Sequence, residues 1–359
     1  MLDNKRNLKE ENLKKAINFR TDLASERRDI YQKANNIEEI EGVETTGEEI
    51  NENIKVERVK IKDENGEKAL GKPKGNYITI DVKKLKIAVE EHIQKASEVV
   101  TRELKNLIDS HIQKQEEILV VGLGNIYVTP DSLGPKVINE IDVTRHLINY
   151  LPQYVEEGTR SVSAVAPGVL GTTGIETIEV LKGIVDNTKP KLVMVIDALA
   201  SRSIDRISST IQISDTGIVP GAGVGNTRAE ISKTTLGIPV IAIGIPTVVS
   251  SAVIVNDTIN YLMKKISYHK HNYQKDKLTF KNNINYLKEE NSLSDLEKQE
   301  LLGLIGTLSD MEIKELILEV LNPIGYNLIV TTKEIDFIIE KLGKLLGTSL
   351  NNTLHTSIN

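Results

Sequence analysis

Four segments of this chain, "EILVVGLGN", "SVSAVAPG", "KLVMVIDALA" and "IPVIAIGIP", are nearly continuous apolar runs that end in small residues. A strand without apolar and polar alternation has to be covered on both faces, which is the setting of a parallel sheet sandwiched between helices. Helix-like stretches lie between the runs. The pattern therefore predicts an α/β fold: a three-layer open, mostly parallel sheet with helices on both faces, occupying residues 116–263. Such sheets place their ligands beyond the carboxyl ends of the strands.

Residues around this core read differently. Residues 1–22 are rich in Lys, Glu and Asn and form an arm or an amphipathic helix rather than core. In residues 23–115 the alternating runs "NIKVERVKI" and "NYITIDV" predict hairpin strands, with Asn65-Gly66 and the Gly-Lys-Pro cluster as turn chemistry between them. Leu85, Val89, Ile93 and Ala96 follow at spacings of three and four, predicting one long amphipathic helix over 83–114. Residues 264–322 are strongly polar and read as a partly helical insertion. Residues 323–359 supply a closing strand and helix. The short "TDLASE" at residues 21–26 fits a helix start, with Thr21 or Asp22 as cap and Glu26 in the first turns.

Composition excludes several classes of function. With 359 residues, 39% of them hydrophobic, the chain can bury a sizeable core. A formal charge of -6 argues against a general affinity for nucleic acid or anionic membrane. The absence of cysteine removes disulfides, thiolate metal sites and Cys nucleophiles. No apolar run is long enough to span a bilayer, and the N-terminus lacks the apolar core of a signal peptide, so the chain is expected to stay in the cytoplasm.

The candidate motifs separate on chemistry. "GLGNIY" has Gly122 and Gly124 after a strand, but Tyr127 stands where a dinucleotide fingerprint needs its third glycine. "PGAGVGN" at 220–226 has no Gly-Lys-Ser/Thr sequel and reads as a tight loop. No cofactor is expected. The histidines, at 92, 111, 146, 269 and 271 among them, lack the two-His-plus-Glu pattern of a zinc protease, so no metal is expected either. Ser201 lies near a strand end but in no nucleophile elbow. Two carboxylates stand out. Asp197 ends the run "KLVMVID", and Asp131 lies in "TPDSLGP", whose prolines fix the loop's course. Together they could share a proton at one sheet edge and activate water. Equally, Asp131 could cap a helix beginning near Ser132, and Asp197 could satisfy the Ala-Leu-Ala backbone.

Taken together, "GLGNIYVTPDSLGP", "DALASRS", "GIVPGAGVGNTRAEIS" and "GIPVIAIGIPTVVSS" resemble the germination protease family of spore-forming bacteria, and "FRTDLASE" resembles its N-terminal processing region. The resemblance implies an atypical aspartic endopeptidase with a fold like that of hydrogenase maturation proteases, made as a zymogen in the forespore and assembled as a homotetramer. It implies small acid-soluble spore proteins as substrates, and Asp131 and Asp197 as the catalytic pair. It also makes residues 1–22 a pro-segment and Asp22-Leu23 the self-processing bond. Family substrates read acidic, large apolar, Ala, Ser, Glu, so a basic partner is needed, and Arg202 and Arg228 are the candidates. The competing class is a non-catalytic ligand- or nucleotide-binding α/β protein with structural aspartates. That class gives no reason for "TDLASE".

Overall fold

The computed structural model describes all residues except 1–22, 84, 86–89, 114, 157–158, 222–227, 273–291, 309, 322–327 and 356–359. It divides into two compact units, one of residues 1–248 with 331–359, the other of residues 249–330.

The first unit is built on a sheet whose strands are β1 (Val43–Asn51), β2 (Ile54–Ile61), β3 (Gly75–Val82), β4 (Ile118–Gly122), β5 (Val162–Val165), β6 (Leu192–Ser201), β7 (Thr210–Ser214) and β8 (Val240–Ser250), in the spatial order β1-β2-β3-β7-β8-β6-β4-β5. β4 pairs in parallel with β5 and with β6, and an antiparallel arm runs through β1, β2, β3, β7 and β8. The open α/β sheet expected from the four apolar runs is present, each run supplying one of β4, β5, β6 and β8.

Alternation along the strands decides what covers each face. Ile118 and Val120 of β4, Leu192, Met194 and Ile196 of β6, and Ile241, Ile243 and Ile245 of β8 belong to one apolar cluster. Three helices seal that face: α3 (Glu90–Asp109), α4 (Leu133–Ile138) and α6 (Ile335–Leu354). Ser97 and Ser349 share a 2.9 Å hydrogen bond where α3 meets α6. Leu119, Val121, Val193 and Val195 point the other way, where α5 (Thr177–Thr188) contributes Leu181 and Val185. Farther along that second face, α1 (Ala24–Asn35) packs Ala24 against Val59, Ile61 and Tyr77 of β2 and β3. Between α5 and α1 the second face is left thinly covered, and there lies a cavity of about 170 Å³ whose lining includes Leu199, Gln212, Ala242 and Gly244.

Two local expectations change. Asn65-Gly66 is no hairpin turn but the first turn of α2 (Glu64–Leu70), because the Asp63 side chain accepts from both of their N–H groups and Gly71, at φ +60°, ends the helix. The hairpin partners β2 and β3 nonetheless pair over their full lengths. Of the helix expected over 83–114, the described part is α3. It closes at Asp109, and the Ser110 hydroxyl then bonds back to the Leu107 carbonyl.

The second unit is largely helical. Helix Ser251–Asn272 packs Ala252 against Ile313 and Ile317 of helix Asp310–Leu321, and strand β9 (Ile329–Val330) pairs with Val249 and Ser250. Among the described residues no helix is long and apolar enough to cross a membrane.

Candidate active site

β4 and β6 run side by side up to Gly122 and Ile196, and the Leu123 N–H extends the ladder with a 2.8 Å bond to the Ile196 carbonyl. There β4 ends, while β6 continues to Ser201. Asp197 is the next residue of β6 and falls on the same face as Val193 and Val195. It is buried, 6% exposed, and its Oδ1 accepts the Ala198 N–H at 2.9 Å.

Asp131 comes back to the same edge by a turn that glycine permits. Gly124 has φ +113°, and a Cβ there would stand 1.9 Å from the Asp131 carbonyl oxygen, so the returning chain lies directly against the exit of β4. Thr129–Asp131 forms a short helical turn with Pro130 near its start, and this turn packs against β6. The Asn125 N–H donates to Asp131 Oδ2 at 2.8 Å. The alternative reading of Asp131 as a helix cap is not what the structure has. Ser132 holds the N-cap position of α4, and no side chain caps that helix. Burial pushes the Asp131 carboxyl above the usual carboxylate range, and the bond from Asn125 offsets only part of this. Asp131 thus follows the carboxyl end of β4 and Asp197 lies on β6 level with that end, toward the side on which an α/β sheet holds its ligands.

Each of the two arginine candidates has an acidic neighbour outside that pair. Arg228 lies 3.5 Å from Glu176, both about one-third exposed. Arg202 follows β6 directly, and it is its backbone N–H that donates to Glu26 Oε2, at 3.3 Å. A residue the sequence did not single out, Arg206, reaches both Ser25 and Glu26. Leu23 is fully buried, whereas Asp22 lies outside the described residues, as does "AGVGN" of the second glycine loop. Of the histidines, His111 contacts Asp215, His92 contacts the Lys83 carbonyl, and His271 the Ser267 carbonyl. Among the described residues no cluster of three or more His, Asp or Glu side chains could hold a metal ion.

Fold and site define an α/β protein that carries one buried and one partly buried aspartate where β4 ends beside β6. The chain belongs to the germination protease family, whose model matches residues 17–359, and it is a peptidase. It is similar to the germination protease of Geobacillus sp. (strain WCH70), 46% identical over 94% of each chain. It is 47% identical to that of Caldanaerobacter subterraneus subsp. tengcongensis over 95% of this chain and 96% of the relative, and 45% identical to that of Bacillus cereus (strain ATCC 10987 / NRS 248) over 94% of each. Among solved structures, a [NiFe] hydrogenase maturation protease HycI from Thermococcus kodakarensis KOD1 aligns with 39% of this chain and 80% of its own, at 18% identity and a TM-score of 0.25.

Proposed function

We propose that the chain is a self-activating aspartic endopeptidase that begins the degradation of small acid-soluble spore proteins at germination, working as a homotetramer in the cytoplasm of the forespore and spore. It cuts after an acidic residue and before a large apolar one. The observation that carries the reading is the placing of Asp131 after the carboxyl end of β4 and of Asp197 on β6 level with that end, with burial favouring the protonated form of Asp131. Asp131 then serves as the acid that protonates the departing amide nitrogen or polarises the scissile carbonyl. Asp197, held by the Ala198 N–H, is the carboxylate that takes a proton from water. In the unprocessed chain, residues 1–22 precede a bond, Asp22-Leu23, with the substrate's own pattern. Cutting it converts the zymogen to the active form.

The test is incubation of a purified small acid-soluble spore protein with the wild-type chain and with Asp131→Asn and Asp197→Asn. Each variant keeps its shape but cannot exchange the proton, so cleavage should fall by at least about 100-fold with the fold intact. Near-normal cleavage by either variant would defeat the pair. EDTA should leave the rate unchanged, and loss reversed by added zinc would replace the mechanism with a metallopeptidase one.

A further inference from the structure

Helix α1 begins without a cap of its own. Leu23, in the N-cap position, is extended (φ −84°, ψ 123°) and supplies no side-chain acceptor, although the first N–H groups of a helix need partners. The Ala24 N–H is taken instead by Oε1 of Gln212, on β7, at 2.8 Å. The Ser25 hydroxyl accepts from Arg206 Nη1 at 2.8 Å and lies 3.4 Å from the Thr79 hydroxyl. Glu26 accepts from the Arg202 backbone N–H at 3.3 Å and the Ser201 hydroxyl at 3.5 Å, with Arg206 Nε 3.7 Å away. The four residues Leu23 to Glu26 are 0, 0, 1 and 7% exposed.

Each position is constrained for a different physical reason. Leu23 and Ala24 are fully buried, Ala24 in one apolar cluster with Val59, Ile61 and Tyr77. Ser25 needs a hydroxyl to answer Arg206. A carboxylate buried like that of Glu26 is tolerated only where charge-assisted hydrogen bonds replace its water. Arg202 and Ser201 stand at the end of the strand that carries Asp197. Gln212 is on the same face of the sheet as Asp197 and Leu199, and between the strands β6 and β7 runs β8, whose Gly244, paired with Gln212, carries no side chain and is overlain by Leu199.

We propose that this seat selects the bond at which the chain cuts itself: Gln212, Arg206, the Ser201 hydroxyl and the Arg202 backbone N–H grip Leu23 to Glu26 and leave Leu23 extended, on the face of the sheet that also carries Asp197. Arg206 is the specificity-determining residue for the acid on the carboxyl side of the bond. The inference rests on the self-processing reading above and adds which groups read the sequence.

The experiment follows the length and new N-terminus of the full chain by intact mass over time, for the wild type, Glu26→Gln, Arg206→Gln and the exchange Glu26→Arg with Arg206→Glu. The wild type should begin at Leu23 after processing. Each single variant should process at least about tenfold more slowly, with its cuts scattered over neighbouring bonds, since a charged hydrogen bond has been lost. The exchange should bring the rate closer to wild type than either single change, which a merely misfolded variant would not do. Single variants that cut at Leu23 at the wild-type rate, or an exchange no better than the single variants, overturn the seat while leaving self-processing standing. A wild-type chain that never shortens overturns both.

Discussion

Replacing Gly124 by alanine should uncouple the position of Asp131 from the rest of the fold. The new Cβ would be built 1.9 Å from the Asp131 carbonyl oxygen and 3.3 Å from its Oδ1, while real Cβ contacts essentially never fall below 3.0 Å. The Thr129–Asp131 turn must therefore retreat by about an ångström, carrying its carboxylate away from the end of β4. Holding an alanine at φ +113° adds strain of about 1–3 kcal/mol. A misplacement of about 1 Å in a reacting constellation costs on the order of 100-fold in rate. The expected result is a kcat on a peptide substrate about 100-fold lower, KM changed by less than about threefold, and a Tm lowered by a few degrees. Gly183→Ala is the control: Gly183 sits exposed in α5 with nothing within 4 Å of its would-be Cβ, so there alanine should stabilise by up to about 1 kcal/mol and leave kcat alone. A Gly124→Ala protein with wild-type kcat would refute the claim that this glycine sets the catalytic geometry.

Asp131→Asn should raise stability at neutral pH. Burial raises the carboxyl's folded pKa, so its stabilising contribution is complete only below the unfolded value near 4 and is lost as pH rises through the folded one. Chemical denaturation at pH 7 and at pH 4 should show the gain at the first and its near disappearance at the second. Asp215 behaves oppositely. Burial alone would raise its pKa, but hydrogen bonds from His111 and from the backbone and side chain of Asn76 outweigh it and hold the carboxyl below its usual range. Asp215→Asn should thus cost about 1–3 kcal/mol at pH 7, a penalty that fades as pH falls through the native pKa, and a loss independent of pH would contradict this. Glu103, 1% exposed, takes a two-pronged bond from Arg58 at 2.8 and 2.6 Å and two more from Arg102 at 3.0 and 2.8 Å. Glu103→Gln should destabilise by about 2 kcal/mol in urea, less than a fully buried pair because both guanidiniums are partly exposed, with kcat unchanged.

The strands that the sequence made legible are those whose two sides are both apolar. "KLVMVIDALA" became β6 and "IPVIAIGIP" became β8 because helices on both faces leave no polar side to interrupt the run. β7, "TIQIS", escaped notice for the opposite reason: every second residue, Thr210, Gln212 and Ser214, is polar although buried, Gln212 and Ser214 lining the cavity, so its apolar content is only Ile211 and Ile213. β1, "VETTGEEIN", is an edge strand whose exposed residues give no alternation to read. Asp197 was legible because it closes an apolar run. Asp131 was ambiguous, since a carboxylate before a helix is more often a cap; in the structure Ser132 takes the N-cap position of α4 and Asp131 accepts the Asn125 N–H instead. The partners of "LASE" were illegible. Gln212 and Arg206 lie 188 and 181 residues from Ala24 and Ser25, and nothing in a polar loop such as "RSIDR" announces a distant carboxylate.

The face of the sheet sealed by α3 and α6 imposes an order of events on the ribosome. α3 is finished at residue 109, but its partner runs from Ile335 to Leu354, and Ser97 cannot meet Ser349 until the latter has left the exit tunnel. At 5–20 residues per second, the roughly 240 residues between them take about 10 to 50 s to make. For that time the face that holds Ile118, Val120 and Met194 lacks one of the three helices that seal it. A nascent chain arrested before residue 335 should therefore be readily digested by an added protease, and one arrested well beyond 354 resistant. A molecule whose last long helix completes its core has, in vectorial synthesis, a built-in delay between making its sheet and closing that core over it.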